Sequence, residues 1–265
     1  MRRTLLSLLL LSLAAAPMVV AQDNPADYTA ALVPLVSHDL PGANGSIWDS
    51  ELYVFNGSNL PLRMPGFSDS PVLPIEPSIV IDPHTTTRVG LFPREPGVDG
   101  AFLYIPNTML STTKMSLRVR DTSQNATSLG DEVPVVRADQ AANQLTIFDV
   151  PVDPKYRATL RIYGFTPSPM PVRVAVYPEI GIPALRQFDV TLHGIVTAAF
   201  DPFPLHPAYI ALDPLGDQIR ASIVRRVRIE ITNFAAIITP APAKIWAFVS
   251  LTNNETNQVT IVTPK

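Results

Sequence analysis

The sequence predicts an all-β protein: two tandem antiparallel β-sandwich domains, immunoglobulin-like or jelly-roll-like, that follow a signal peptide. Proline accounts for 28 of the 265 residues, about twice its usual share of ~5%, which opposes long helices and favours short strands joined by turns. Many short segments alternate apolar and polar residues, the period of a strand with one buried and one solvated face. A set of strand-like segments also recurs in the same order, which indicates an internal duplication.

The chain begins with the pattern of a secretory signal peptide. Arg2 and Arg3 supply a positive start, and the apolar run Leu5–Ala16 leads to small residues and a cleavage point before Gln22. Pro17 interrupts this run, which is shorter than the roughly 20 apolar residues that a membrane-spanning helix needs. We therefore expect cleavage and export, to the periplasm, the cell surface or the medium.

The composition after cleavage excludes several classes of partner and site. The chain would retain 244 residues, and its formal net charge would fall from −3 to −5, so nucleic acid is not an expected partner. There is no cysteine, which excludes disulfides, thiolate metal sites and a lipid-anchored cysteine. No later stretch is apolar enough to predict a transmembrane segment in the mature chain.

The duplication is centred on residues 42–56, whose sequence is Gly-Ala-Asn-Gly-Ser-Ile-Trp-Asp-Ser-Glu-Leu-Tyr-Val-Phe-Asn, and a weaker copy lies 108 residues further on. Gly45 and Asn56 mark the turns at the two ends of the first copy. The matched pairs are Trp48 and Tyr156, Leu52 and Leu160, Val54 and Ile162, and Phe55 and Tyr163. Residues 60–63 and 117–120 recur in the same order at offsets of 110 and 130, as expected when loops gain residues.

The spacing of Trp48, Leu52 and Val54 places them on one face of a strand. We expect that face to be the buried core, together with Leu160 and Ile162 of the second copy. The alternative for Trp48 is a solvent-facing platform on which a sugar ring stacks, as in carbohydrate-binding modules. Trp48 is an even number of residues from Leu52 and Val54 and so lies on the same strand face, which favours the core.

The chain is predicted to divide into residues 1–21 (signal peptide), 22–29 (N-terminal arm), 30–134 (first β-sandwich), 135–143 (linker) and 144–265 (second β-sandwich). First-copy strands are expected at 30–36, 47–55, 85–91, 101–105 and 114–120, with an edge strand or irregular crossing at 72–81. Second-copy strands are expected at 145–150, 158–165, 172–177, 187–192, 195–200, 223–232, 244–251 and 258–262. Residues 138–143 are expected to form one helical turn. The alternative is one sheet system that continues across the boundary.

No catalytic residue, metal site or cofactor is predicted. The histidines do not stand at metal-ligand spacing, and no Gly-x-Ser-x-Gly motif exists, although a triad of distant residues stays open. The candidate carboxylates for a glycosidase are Asp49, Glu51, Asp99, Asp121, Asp131 and Glu132, and nothing in the sequence gathers them. The strand arginines are expected on the solvated face: Arg118, Arg120, Arg161, Arg173, Arg226 and Arg228.

The segment 42–56 resembles a motif in a group of uncharacterised secreted bacterial proteins, Gly-Ser/Thr-x-Trp-x-Ser/Thr-Asp/Glu-Leu leading into an aliphatic–aromatic–Asn strand end. Residues 247–256 are similar to the final strand and turn of that group. The resemblance implies tandem β-sandwiches and carries no activity with it. Here Asp49 follows the tryptophan, and the second copy has no tryptophan at the matching position.

The functional expectation is a non-catalytic exported protein that binds or scaffolds an unknown protein or glycan partner. Two alternatives stay open. The first is a carbohydrate-binding or carbohydrate-active protein, with carboxylates that meet at the domain junction. The second is a subunit of a surface assembly, joined by strand addition at the proline-rich edge near residues 72–81.

Overall fold

A computed structural model describes residues 24–41, 45–65, 79–90, 99–123, 130–178, 183–194, 206–215, 225–234, 243–256 and 258–265. The expected signal peptide lies outside these ranges, as do residues 22–23 of the arm, 42–44 of the first motif, 72–78 of the crossing and the strand expected at 195–200. Within the described ranges the secondary structure consists of β-strands and two short 3-10 turns, Pro25–Asp27 and Asn107–Met109. The all-β prediction is confirmed.

The first-half strands are β1 Tyr28–Val33, β2 Leu40–Pro41, β3 Ile47–Asn56, β4 Leu62–Met64, β5 Ile79–Ile81, β6 Thr86–Val89, β7 Ala101–Pro106, β8 Thr113–Asp121, β9 Asp131–Val133 and β10 Val136–Arg137. The second-half strands are β11 Gln144–Pro151, β12 Tyr156–Gly164, β13 Met170–Pro178, β14 Arg186–Leu192, β15 Ala208–Leu212, β16 Arg226–Asn233, β17 Ile245–Asn253 and β18 Val259–Val262.

The described strands pair antiparallel in several small sheets. Sheet I has the order β10–β1–β7, and the hairpin β4–β5 lies beside β7. Sheet II has the order β2–β3–β8–β9, with β6 also paired to β3. Sheet III has the order β11–β16–β13–β14, and sheet IV has the order β15–β12–β17–β18. The path β6–β3–β8–β9 in sheet II therefore has the same relative strand order as sheet IV.

Two hydrophobic clusters hold the sheets together, and sheet IV contributes to both. Leu160 and Ile162 of β12 belong to the second cluster, which fills the space between sheets III and IV. Their neighbour Tyr163 belongs to the first cluster, together with Trp246 and Phe248 of β17. Successive strand residues point to opposite faces, so sheet IV is covered on both sides. The four larger sheets are therefore not two clearly separate sandwiches.

The aliphatic residues of the repeated motif are buried as predicted. Leu52, Val54, Leu160 and Ile162 have no exposed surface. Trp48 is different, because it is only partly buried, so the prediction that it lies in the core is wrong. It shares a face with Leu52 but stands beyond the end of the apolar part of that face.

The polar ends of the motif shape turns. Asn56 is fully buried, and its Nδ2 donates hydrogen bonds to the carbonyl oxygens of Leu60 at 2.8 Å and Ile81 at 3.0 Å. Its Oδ1 accepts from the backbone N–H of Ser58 at 3.0 Å, so this one side chain holds the turn after β3. Gly45, before β3, has a φ of 77°, a conformation that glycine adopts without steric cost. Tyr156 begins β12 and pairs with Asn253.

Two local expectations differ from the structure. The helical turn expected at Ala138–Asn143 is wrong. The N–H of Gln140 closes a turn on the carbonyl of Arg137 at 2.9 Å, and Ala142 then pairs with Ile245. Strand β15 was not predicted, since it follows a proline-rich stretch with few alternating residues. Its pairing with β12 overrides that weak local signal.

The matched residues Phe55 and Tyr163 should differ in their contribution to stability. Phe55 is 36% exposed, whereas Tyr163 is fully buried and stacks on Phe248 with ring centroids 6.2 Å apart. We expect Tyr163→Ala to lower the free energy of unfolding by about 3–5 kcal/mol, as removal of large core aromatics does. Phe55→Ala should lower it by less than about 1 kcal/mol. Urea unfolding of both variants measures the difference, and equal losses would contradict the burial of sheet IV on both faces.

Candidate functional site

The inner face of sheet II changes from apolar to polar towards one end. Its last fully apolar row consists of Leu52, Leu117 and Val133. The next row consists of Ser50, Val119 and Asp131, and Trp48 stands two residues further along β3 on the same face. The end of this face therefore offers an indole ring, a hydroxyl and a carboxylate.

The face of sheet IV that meets the first cluster changes in the same way. It begins with a row of aromatic residues, Tyr209, Tyr163 and Trp246. Further along β12 the same face carries Arg161, then Thr159 opposite Ser250, then Arg157. Aromatic packing therefore gives way to hydroxyl and guanidinium groups.

A cavity of about 380 Å³ lies where the polar ends of these two faces meet. Trp48 and Asp131 line it from sheet II, and Arg157 and Arg161 line it from sheet IV. Its volume falls in the range of roughly 300–1,000 Å³ that is typical of small-molecule sites, and its lining mixes apolar and polar side chains as such sites do. The cavity is the candidate functional site.

Asp99 reaches the cavity from the connection before β7. Its Oδ1 accepts a hydrogen bond from the backbone N–H of Val36 at 3.1 Å, and its Oδ2 accepts from the hydroxyl of Tyr209 at 3.2 Å. The same Oδ2 lies 3.4 Å from Nε of Arg161. Burial raises the pKa of Asp99 above its usual range, and the positive charge of Arg161 only partly opposes this.

Arg161 is the partner of Asp99 and lies between the two sheets. Its side chain is 21% exposed, so the expectation that it belongs to the solvated face is wrong. Nη1 donates to the hydroxyl of Ser250, and the guanidinium carbon lies 5.8 Å from the ring centroid of Phe248. Burial acts to lower the pKa of Arg161, but the charge of Asp99 holds it above its usual value. Arg161 is therefore a fixed positive charge.

A second arginine–carboxylate pair stands beside the first. Nε of Arg157 donates to Oδ1 of Asp213 at 3.0 Å, and Nη2 donates to Oδ2, which makes the contact bidentate. The hydroxyl of Thr159 donates to Oδ1 of Asp213 at 2.9 Å. Burial acts to raise the pKa of Asp213, but these hydrogen bonds hold it below its usual range. Asp213 is therefore ionised and neutralised by Arg157.

Asp131 is the third carboxylate at the cavity, and it differs from the other two. Among the described residues, its side chain makes no hydrogen bond and no ion pair, and burial raises its pKa. It stands opposite Val119, with the partly exposed ring of Trp48 further along the same face. This part of the wall therefore has one carboxylate that the described residues leave for a ligand.

The carboxylates on the outer face of β3 form a separate network. Oε1 of Glu51 lies 3.1 Å from Nη2 of Arg88 and 2.9 Å from Nη2 of Arg120. Oδ1 of Asp49 lies 3.2 Å from Nδ1 of His38. Each carboxylate already has a basic partner, so we interpret this network as structural. In the described part of the chain, no group of three histidines and acidic residues is placed to hold a metal ion.

The structure thus brings together part of what the sequence left scattered. Asp99 and Asp131, two of the candidate carboxylates, share the cavity, while Asp49 and Glu51 lie on the opposite face of β3. Sequence reasoning missed Asp213 and did not place Arg161 beside Asp99. No local motif marks these residues, because they come from separate strands and loops.

Comparison with protein-family models, with curated proteins and with solved structures found no match to this chain. Among the described residues, the structure has no helix with the length and apolar character that crossing a membrane requires.

The raised pKa of Asp99 predicts a pH dependence of stability. The folded chain holds the proton of Asp99 more tightly than the unfolded chain, so the stability from this group is present below about pH 4 and is lost as pH rises through the folded pKa. The free energy of unfolding of the wild type, minus that of Asp99→Asn, should therefore fall as pH rises from about 4.

Urea unfolding between pH 4 and pH 8 measures this difference. Asp189→Asn is the matched control, because Arg173 holds the pKa of Asp189 below its usual value. For that variant the difference from wild type should not fall as pH rises. A difference for Asp99→Asn that increases with pH would contradict the effect of burial on Asp99.

Proposed function

We propose that this chain is an exported, non-catalytic binding protein that holds a small polar ligand in the cavity between sheets II and IV. The observation that carries the proposal is the pair of arginine–aspartate contacts, Arg161 with Asp99 and Arg157 with Asp213, at the wall of one cavity. Partly buried ion pairs add little net stability compared with apolar packing. Charged groups that converge on one cavity are typical of sites that orient a ligand.

Export is proposed from the signal peptide pattern at the start of the sequence. The periplasm, the cell surface and the medium all fit that pattern. These compartments are oxidising, and a chain without cysteine forms no disulfides there. A ligand that reaches the cavity there is a solute outside the cytoplasm or part of a larger surface molecule.

We also propose that the two halves are tandem copies of one eight-stranded sandwich. Eight strands of each half would correspond in chain order: β1 and β3–β9 in the first half, and β11–β18 in the second. In support, the second and fifth strands pair in each half, as strands B and E do in the immunoglobulin fold. The third and sixth strands pair in the second half and lie together in the first, as strands C and F do. The second strand of each half also pairs with the seventh, which the immunoglobulin fold places beside the sixth, so these pairings do not separate an immunoglobulin-like unit from a jelly roll.

A carbohydrate-active enzyme is the second candidate function. Asp99 and Asp213 line the same cavity, and their surroundings move their pKa values in opposite directions. A pair of carboxyl groups with separated pKa values is how glycosidases assign an acid and a base. An arginine holds each of these carboxylates, and this favours binding over proton transfer. The proposed surface assembly depends on residues 72–81, most of which lie outside the described ranges.

The binding proposal predicts that small molecules stabilise the protein through this cavity. We expect at least one class in a panel of sugars, polyols, amino acids and amines to raise the melting temperature of the mature chain. Thr252→Trp should abolish that shift, because Thr252 lines the cavity and an indole would fill it. Arg173→Gln is the matched control, since it removes an exposed ion pair with Asp189.

No shift with any class would contradict the binding proposal. Turnover of a polysaccharide that Asp213→Asn abolishes would favour the enzyme instead.

A further inference from the structure

We propose that the ligand of this cavity is a small organic cation, an amine or a quaternary ammonium compound, held between the ring of Trp48 and the carboxylate of Asp131. This inference rests on the proposed function, because it names the ligand class of the same cavity.

The charge balance of the described lining leaves one negative charge. Arg161 neutralises Asp99, and Arg157 neutralises Asp213 through a bidentate contact. Asp131 is the remaining charged side chain of the described lining, and it has no basic partner among the described residues. Asp131 is partly buried, and this partial loss of solvation disfavours its charged form, so a cation that enters the cavity would stabilise the carboxylate.

Asp121 adds to the negative potential near Trp48. It stands directly opposite Trp48 in the neighbouring strand β8, and its Oδ1 accepts hydrogen bonds from the backbone N–H groups of Ile47 and Ser123, each at 3.0 Å. Burial acts to raise the pKa of Asp121, but these bonds and the Ser123 hydroxyl hold it below its usual range. Two carboxylates therefore flank the tryptophan side of the cavity.

Trp48 supplies the aromatic wall that organic cations prefer. A cation within about 6 Å of an indole centroid is attracted by the negative face of the ring. Trp48 is partly buried at the cavity wall, which leaves part of its side chain accessible. Val119, Val259 and Ile261 line the same cavity and offer apolar contacts for the alkyl groups of a substituted ammonium.

The strand register leaves room for a cation between the two groups. Asp131 lies two strands away from Trp48 and one row further towards the core. Neighbouring strands are about 4.8 Å apart and two residues along a strand span about 7 Å, so the two Cα atoms lie roughly 12 Å apart. Both side chains project from the same face of the sheet, and this separation leaves space between them for a group the size of trimethylammonium.

Other ligand classes fit this wall less well. An anion would meet the negative charge of Asp131, and Asp99 and Asp213 already balance the charges of the two arginines. An uncharged sugar would stack on Trp48 and donate a hydrogen bond from a hydroxyl group to Asp131. It would leave the negative charge of the cavity uncompensated, and this difference is the basis of the test.

The test is calorimetric titration of the mature chain with choline, with ethanolamine and with 3,3-dimethylbutan-1-ol, the uncharged carbon analogue of choline. We expect at least one of the two cations to bind at least 10-fold more tightly than the uncharged alcohol. Asp131→Asn should weaken cation binding at least 10-fold. Trp48→Leu should weaken it about 5-fold or more, and Trp48→Phe should recover part of the loss.

Glu132→Gln is the matched control, because Glu132 follows Asp131 on the opposite face of β9 and is exposed. It should bind the cation as the wild type does. Thermal melting of each variant shows whether it is folded, and the Trp48→Phe variant keeps the test valid if Trp48→Leu is unstable.

The outcomes separate this inference from the binding proposal. Binding of the uncharged analogue as tight as that of the tighter-binding cation, or unchanged cation binding by Asp131→Asn, would overturn the cation inference. Tighter binding of a sugar than of either cation, abolished by Thr252→Trp, would also overturn it while supporting the binding proposal. Failure of every tested molecule to bind would overturn both.

Discussion

The covering of sheet IV on both faces is the arrangement on which the rest of the structure depends. Alternate residues of β12 and β17 enter different clusters, with Leu160 in the second and Tyr163 in the first. The rings of Tyr163, Trp246 and Phe248 attach the second half of the chain to the first through apolar burial and stacking. The polar continuation of the same face forms one wall of the cavity. The attachment of the two halves and the candidate site are therefore consecutive parts of one surface.

The repeated motif shows how similar strands acquire different surroundings. At the offset of 108 residues, Glu51 corresponds to Thr159 and Tyr53 to Arg161. In β3 these positions lie on the outer face, where Glu51 pairs with surface arginines. In β12 they face the first half of the chain and line the cavity. On the proposed duplication, the aliphatic positions kept their role while the opposite face of the second copy became an internal surface.

The sequence predicted the features that depend on local pattern and missed those that depend on sheet packing. Alternation identified the strands and the buried face with Leu52 and Leu160, because a two-residue period is a property of one strand. Alternation assigns a residue to one face of a strand but does not show where along that face the core ends, so it wrongly predicts that Trp48 is buried. Alternation also does not show whether the polar face of a strand is covered by another sheet, so it wrongly predicts that Arg161 lies in solvent. The Asp99 and Asp213 contacts join distant segments, for which one sequence holds no signal.

The position of the cavity between sheets II and IV has a mechanical consequence. A molecule that contacts both walls can leave only when it gives up its contacts to one sheet, so its binding energy also opposes the separation of the two halves. The occupied protein should then resist pulling forces and proteolytic opening at this seam better than the empty one, by an amount that grows with ligand concentration. On the proposed export and binding, the concentration of the ligand would therefore affect how long the folded chain persists.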